Sequence, residues 1–272
     1  MGGMFSTRVI TLMPVAIAIN IVLGYTVQTV LKLPIYLDSI GTILVGVLAG
    51  PIAGALTGIL TNLIWQYAPG IGGGTIGPFA ITAGVIGILA GLWGQLGVYR
   101  SRPASGSQLL VAAIGAAALV LIFALPIING NPAYTDPNIG GYPDWVYTGA
   151  LVIAALAAVV VAGFIYLRRD LAGLWVAVAG VVTGIVAAFV SAPIAAYVFG
   201  GVTGSGTDVL VAALRQGGAD VLSASLGQGL FSDPIDKTIT SFVVFIILSS
   251  LSPRLLARFP NGDKLTDASP NW

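Results

Sequence analysis

The sequence predicts an all-α integral membrane protein, a bundle of about eight transmembrane helices that forms a single domain over residues 1–272. Two observations support this fold class. Hydrophobic side chains make up 57% of the chain and charged side chains only 8%, whereas about a quarter of the residues in a soluble domain are charged. The long apolar runs do not alternate in polarity, which excludes a β-barrel with its alternating strands of about ten residues.

The composition also excludes several classes of function. The chain has no His and no Cys, and its ten acidic residues are all Asp. The commonest general base, zinc ligation by sulfur or imidazole, and disulfides are therefore absent. A net charge of +1 provides no strongly basic surface for nucleic acid. We expect no enzyme activity, no metal and no cofactor.

Six largely apolar runs approach the length of about 20 residues that a transmembrane helix needs. They cover residues 9–30, 75–98, 107–127, 148–167, 171–199 and 235–253. A seventh run, 35–67, is too long for one helix and has Gly50-Pro51 at its centre. Either one kinked helix crosses the membrane there, or two short helices meet in a tight turn.

The basic residues favour the tight turn, because cytoplasmic loops collect Lys and Arg. With a hairpin at Gly50-Pro51, eight basic residues share one side and three lie opposite or near that face. The eight are Arg8, Arg100, Arg102, Arg168, Arg169, Arg254, Arg258 and Lys264, and the three are Lys32, Arg215 and Lys237. We therefore predict eight spans with both termini cytoplasmic. A re-entrant short helix is the alternative.

Small residues four apart predict where helices touch, since such pairs let backbones approach closely in lipid. The pairs are Gly54 and Gly58, Gly87 and Gly91, and Gly180 and Gly184. They pack either within the chain or against a partner subunit. A similar stripe on the first span is formed by Ala16, Asn20 and Gly24, where the polar Asn20 is expected to face protein. Residues 261–272 are predicted to be disordered.

Polar and aromatic side chains gather at the predicted outer ends of the helices. They are Tyr25, Gln28, Tyr36, Asp38, Asn62, Trp65, Gln66, Tyr67, the glycine-rich loop 70–75, Ser191, Tyr197, Gln228, Asp233, Asp236 and Lys237. An aromatic belt explains part of this set. Amide and ionisable groups within spans are costly unless they pair or form a site. We therefore predict a pocket that opens outward, with substrate contacts from Asn62, Trp65, Gln66, Thr75, Ser191, Tyr197, Asp236 and Lys237.

The last span is predicted to begin within residues 231–237. Ser232 or Asp233 can cap the helix, with Pro234 in its first turn. Lys237 would then lie one turn inside and point into the pocket, paired with Asp233 or Asp236. The alternative is a well-capped helix start without a binding role.

Three segments, 37–65, 191–201 and 233–248, resemble the substrate-binding S component of energy-coupling factor (ECF) vitamin transporters. Their shared features are a short helix, a Gly-Pro turn and a Gly/Ala-rich helix, then an Ala-Pro-Ile-Ala helix end and a Pro-Asp-Lys cluster. The resemblance implies a six-helix core, here 9–98 and 171–258. The pair of helices in 107–167 is an insertion, and 259–272 is a cytoplasmic tail.

The resemblance implies a solute-binding subunit in the plasma (inner) membrane of a prokaryote, which holds a vitamin-like molecule at its outer face. It would work with a transmembrane coupling subunit and two cytoplasmic ATPase subunits. Docking on the coupling subunit would involve Ala16, Asn20 and Gly24, although Asn20 stands where the family has a second Ala. No Lys follows Gly, so the phosphate-binding G-x-x-x-x-G-K-[ST] motif is absent.

Two other functional classes are consistent with parts of the sequence. A structural subunit of a larger membrane complex, without a ligand of its own, would also carry small-residue faces. A retinal protein is suggested by the spacing of Asp233 and Lys237. The predicted position of Lys237 near the start of its helix argues against the retinal protein.

The predicted topology is testable because the chain has no natural Cys. A Cys introduced at Ser105 should be labelled by a membrane-impermeant reagent only from the cytoplasmic side, since the Arg-rich loop beside it is predicted to be cytoplasmic. Labelling from outside would show that the Gly50-Pro51 hairpin is wrong.

Overall fold

A computed structural model describes residues 5–70, 76–122 and 144–266, and all regular secondary structure in these ranges is helical. Extended pairing among them is limited to an isolated bridge between Pro103 and Asp170. The all-α class predicted from the sequence is therefore confirmed for the described part of the chain.

The described residues form the following helices. In chain order they are α1 (Thr7–Gly24), α2 (Ile40–Ala49), α3 (Pro51–Tyr67), α4 (Ala80–Gln95), α5 (Ser107–Leu121), α6 (Asp144–Arg168), α7 (Ala172–Phe199), α8 (Asp208–Gln216), α9 (Val221–Ser250), α10 (Pro253–Leu256) and α11 (Gly262–Leu265). A π-helical turn, Tyr25–Val30, continues α1, and a 3₁₀ turn, Gly77–Phe79, precedes α4.

Four of the described helical segments are long and apolar enough to cross a membrane. They are Thr7–Val30, Gly77–Gln95, Leu151–Arg168 and Ala172–Phe199. The 10-residue α2 rises only about 15 Å, half the thickness of about 30 Å of a bilayer's hydrocarbon core. The fold is compatible with a membrane-embedded protein, but the predicted count of eight spans is not confirmed.

The Gly50-Pro51 turn joins two separate helices. Gly50 has φ 101° and ψ 176°, a conformation open to glycine and costly for other residues. Beyond it α2 and α3 lie antiparallel, since a Cβ added to Gly54 would be 2.7 Å from Cα of Gly46. The predicted hairpin is therefore confirmed, and the single kinked helix is excluded. All ten residues of α2 are buried.

The glycine pairs allow helices within the chain to touch. A Cβ added to Gly87 of α4 would overlap the carbonyl group of Gly54 in α3. In the same way, a Cβ on Gly184 of α7 would overlap the backbone of Pro234 in α9. The predicted backbone contacts are thus made between helices of the same chain, and these glycines do not need a partner subunit to explain them.

The helices α5 and α6 pack against the same bundle. The two helices contact each other and α7. Val120 of α5 and Ala154 of α6 share a buried apolar cluster with Leu210 of α8 and with Phe231 and Ile235 of α9. The two helices therefore pack against α8 and α9 as well as α7.

The last long helix starts earlier than the sequence predicted. It begins at Val221, and the Asp220 carboxylate caps it by accepting hydrogen bonds from the backbone N–H groups of Leu222 (2.9 Å) and Ser223 (3.1 Å). These bonds, with one from the Ser223 hydroxyl, lower the pKa of Asp220. The predicted cap at Ser232 or Asp233 is wrong.

Pro234 lies inside α9 instead of in its first turn. Proline has no backbone N–H, so one hydrogen bond of the helix is missing at this point. Lys237 consequently lies near the middle of α9, not one turn from its start. The helix position of Lys237 therefore does not exclude a retinal protein.

The start of the C-terminal segment is ordered against α2. The Asn261 backbone N–H donates to the Leu48 carbonyl oxygen (3.0 Å), and its side-chain amide donates to that of Val47 (2.9 Å). The last carbonyl groups of a helix lack partners within the helix, so Asn261 satisfies two of them. The predicted disorder of 261–272 is wrong for 261–266, and the remaining residues lie outside the described ranges.

We expect Gly87→Ala to lower the thermal unfolding midpoint, because overpacking a tight contact typically costs about 1–3 kcal/mol. The matched control is Gly163→Ala in α6, where an added Cβ has no atom within 4 Å. Thermal unfolding of both variants in the same detergent measures the difference. Equal midpoints for the two variants would contradict the helix contact at Gly87.

Candidate functional site

A cavity of about 500 Å³ lies among the connection between α1 and α2, the helices α3, α4, α7 and α9, and the loop before α8. Its wall mixes polar, acidic and aromatic side chains with small apolar ones. The polar and aromatic lining residues are Tyr25, Gln28, Thr29, Tyr36, Asp38, Ser39, Asn62, Trp65, Phe79, Thr82, Ser191, Thr203, Ser205, Thr207, Asp208, Ser225, Gln228, Asp233 and Lys237. A concave site of this size and composition suits a small molecule.

Lys237 is the basic residue in the described wall of this cavity, and it is only 2% exposed. Its Nζ donates to Oδ2 of Asp236 and to Oγ of Ser39 (3.0 Å), and lies 3.6 Å from Oδ1 of Asp38. The ammonium group has three N–H donors, and these three protein oxygens lie around it. The predicted pairing with Asp236 is confirmed.

Asp236 fixes the connection between α1 and α2 to α9. Its Oδ1 accepts hydrogen bonds from the backbone N–H groups of Tyr36 (3.0 Å) and Leu37 (2.8 Å). Leu37 has φ 52°, a left-handed conformation that is strained for a bulky residue. The carboxylate therefore supports a backbone shape that Leu37 would not adopt unaided.

Side chains from other elements hold the same connection. Gln28, in the π turn that ends α1, donates through Nε2 to Oδ2 of Asp38 (3.0 Å) and to the Tyr36 carbonyl oxygen (3.3 Å). The Tyr36 hydroxyl donates to Thr207 (3.2 Å) and accepts from Gln228 of α9 (3.0 Å). Residues 36–39 are therefore a hydrogen-bonded wall of the cavity.

Aromatic rings form a second part of the wall. Trp65 of α3 is buried with its ring over Gly24, where an added Cβ would be 2.7 Å from a ring carbon. Phe79, just before α4, stacks on Phe199 of α7 with 5.7 Å between ring centroids. Both lining rings are fixed by packing, so they offer preformed faces to a ligand.

The loop before α8 contributes residues that the sequence analysis did not identify. Thr203, Ser205, Thr207 and Asp208 line the cavity, and the Asp208 carboxylate accepts from the backbone N–H groups of Thr203 (3.0 Å) and Gly204 (2.6 Å). The run of Gly, Ser and Thr over 200–207 is a loop signal. The amphipathic α8 that follows would have shown that this loop returns to the bundle.

Several predicted site residues meet in this cavity. Asn62, Trp65, Ser191 and Lys237 line it, although they come from α3, α7 and α9. Of the wider polar set, Tyr25, Gln28, Tyr36, Asp38, Gln228 and Asp233 line it as well. Thr75 lies outside the described residues.

Three other predicted contacts lie elsewhere. Asp236 is fully buried behind Lys237 and is absent from the cavity wall. Gln66 accepts through Oε1 from the Gly77 backbone N–H (2.8 Å) and so holds the turn before α4. Tyr197 is 73% exposed on α7 and points away from the wall. The sequence pattern did not determine which way each of these side chains faces.

The predicted docking stripe on α1 faces the interior. Asn20 is fully buried; its Nδ2 donates to the hydroxyls of Thr42 (2.9 Å) and Thr61 (3.1 Å), and its Oδ1 accepts from the Gly41 N–H (2.7 Å). Ala16 and Gly24, the other two residues of the stripe, are also buried against the α2–α3 hairpin. Asn20 faces protein as expected, but the stripe is not an exposed surface.

Within the described ranges, the acidic side chains form no group of three or more that could hold a metal ion. Comparison of the chain with protein-family models, curated proteins and solved structures finds no match in any of the three. The function must therefore be argued from the cavity itself.

Lys237→Met should destabilise the protein by about 3–5 kcal/mol, because it leaves the Asp236 carboxylate buried without its cation. The double variant Asp236→Asn/Lys237→Met should be more stable than this single variant, since the Asn side-chain oxygen can still accept from Tyr36 and Leu37. Thermal unfolding in one detergent compares the two. A double variant no more stable than Lys237→Met would contradict the ion-pair account.

Proposed function

We propose that this chain is the membrane-embedded solute-binding subunit of an ECF-type ATP-driven importer, which captures a vitamin-like small molecule at its outer face. The observation that carries the proposal is the cavity of about 500 Å³ inside the helical bundle. Ligand sites of small molecules are typically clefts of about 300–1,000 Å³ with a few placed polar groups. Trp65, Asn62 and Ser191 supply an aromatic face and polar groups in this wall.

The proposal includes partners, because the chain lacks a motif for binding nucleotide phosphates. A transmembrane coupling subunit and two cytoplasmic ATPase subunits would supply the energy. The resemblance implies the plasma (inner) membrane of a prokaryote as the location, and the distribution of Lys and Arg favours cytoplasmic termini. The resemblance of segments 37–65, 191–201 and 233–248 to S components supports the same assignment.

A structural subunit of a membrane complex is the alternative from the sequence. Such a subunit needs tightly packed interfaces but no preformed internal site. The glycine residues that favoured this alternative make their close contacts between helices of the same chain. The polar wall held by Asp236 and Gln28 supports a binding role more directly.

Native mass spectrometry of the full chain, released from membranes of an expressing cell, tests the proposal. We expect a bound small molecule, and a coupling protein with ATPase subunits when these are co-expressed. The isolated chain should hydrolyse no ATP. Measured ATP hydrolysis by the isolated chain, or partners that are only structural membrane proteins with no small molecule bound, would contradict the proposal.

Asn62→Ala should lower the affinity for the small molecule by about one to two decades, because a lost buried polar contact costs about 1–3 kcal/mol. The matched control is Tyr197→Ala, which removes an exposed aromatic side chain of α7. The ratio of bound to free protein in native mass spectra measures both. If the two variants retain the small molecule equally and are equally stable to heat, Asn62 does not contribute to binding.

A further inference from the structure

The charges around the cavity are not balanced. Among the described lining residues, Lys237 is basic, whereas Asp38, Asp208 and Asp233 are acidic. The charge on Lys237 is already matched by Asp236, which it contacts directly behind the wall. The cavity therefore carries an excess of negative charge, even if one of its three carboxyl groups is protonated.

The ammonium of Lys237 does not serve as a free anion site. Its close partners are Asp236, Ser39 and Asp38, so an anionic ligand would have to displace one of them. The same anion would meet the carboxylates of Asp38 and Asp233, which line the same cavity. Like charges in a site of low dielectric repel strongly, and the geometry disfavours a carboxylate or phosphate ligand.

The acidic groups differ in how fully the protein satisfies them. Asp208 receives two backbone N–H groups and the Thr203 hydroxyl. Asp38 receives the Gln28 amide at 3.0 Å and lies 3.6 Å from the Lys237 ammonium. Asp233 is only 5% exposed, yet its hydrogen bond from Ser191 is long, at 3.5 Å. A buried carboxylate needs a partner, and at Asp233 a ligand can provide it.

Two hydroxyl groups beside the cavity are also available to hydrogen-bond a ligand. Ser225 and Thr82 line the cavity and are buried, and neither hydroxyl has a hydrogen-bond partner among the described residues. Aromatic residues Trp65, Tyr36 and Phe79 complete the wall. Rings and carboxylates together are the groups that recognise organic cations, because the ring face attracts positive charge.

We propose that this cavity takes an organic cation, an ammonium compound or a cationic heterocycle, whose positive group lies near Asp38 and Asp233 and whose apolar part contacts Trp65 and Phe79. This inference rests on the proposed solute-binding function and adds the charge class of the solute. An organic cation fits better than a metal ion, because the described acidic side chains do not gather as metal ligands.

The test uses the full chain in lipid nanodiscs and probes that differ in charge on one ring. The probes are 1-methylnicotinamide (a cation), nicotinamide (neutral) and nicotinate (an anion), with choline and its neutral isostere 3,3-dimethylbutan-1-ol as a second pair. Calorimetric titration should show each cation binding at least about tenfold more tightly than its neutral partner.

Asp38→Asn and Asp233→Asn should each reduce this preference for the cation over its neutral partner. The matched control is Asp263→Asn, which neutralises an exposed Asp and should leave the preference intact.

The outcomes separate this inference from the proposed function. Tighter binding of the neutral or anionic probes would overturn the charge class and leave solute binding standing. If no probe binds but a small molecule co-purifies, the charge of the released molecule, measured by electrophoresis, decides. A neutral or anionic molecule overturns the inference. If no probe binds and nothing co-purifies, both the inference and the proposed function are wrong.

Discussion

The fold around the cavity depends on one buried ion pair. Asp236 and Lys237 are adjacent in α9, and their side chains reach the connection between α1 and α2 through Tyr36, Leu37 and Ser39. Buried charges are tolerated only when they are paired and hydrogen-bonded, so the two side chains and the connection must be placed together. Positioning this non-helical segment gives the cavity a wall that apolar packing alone would not specify.

Glycine contacts set the rest of the geometry. Where α3 meets α4 and α7 meets α9, the backbones touch at Gly54, Gly87 and Gly184, and no space remains between the helices. The larger side chains of Trp65 and Phe79 line the cavity instead.

The sequence predicted the parts of this arrangement that depend on local chemistry. Apolar runs indicated the helices, Gly50 with Pro51 indicated the hairpin, and the cost of Asn62 and Lys237 in apolar surroundings indicated a shared site. The start of α9 was misplaced, because a proline followed by charged residues resembles a helix start and only tertiary contacts show that it is interior. The inward orientation of Asn20 and the outward orientation of Tyr197 likewise depend on neighbours distant in sequence.

Hydrogen–deuterium exchange of the unmodified protein in nanodiscs tests whether the Asp236–Lys237 pair holds the connection between α1 and α2. Residues 33–39 form no helix, yet the Tyr36 and Leu37 amides are bonded to a buried carboxylate. We predict that peptides covering 33–39 exchange as slowly as those of the buried α2, since protection follows the free energy of opening. Exchange of 33–39 at the rate of an unstructured peptide of the same sequence would show that the ion pair does not hold the wall of the cavity.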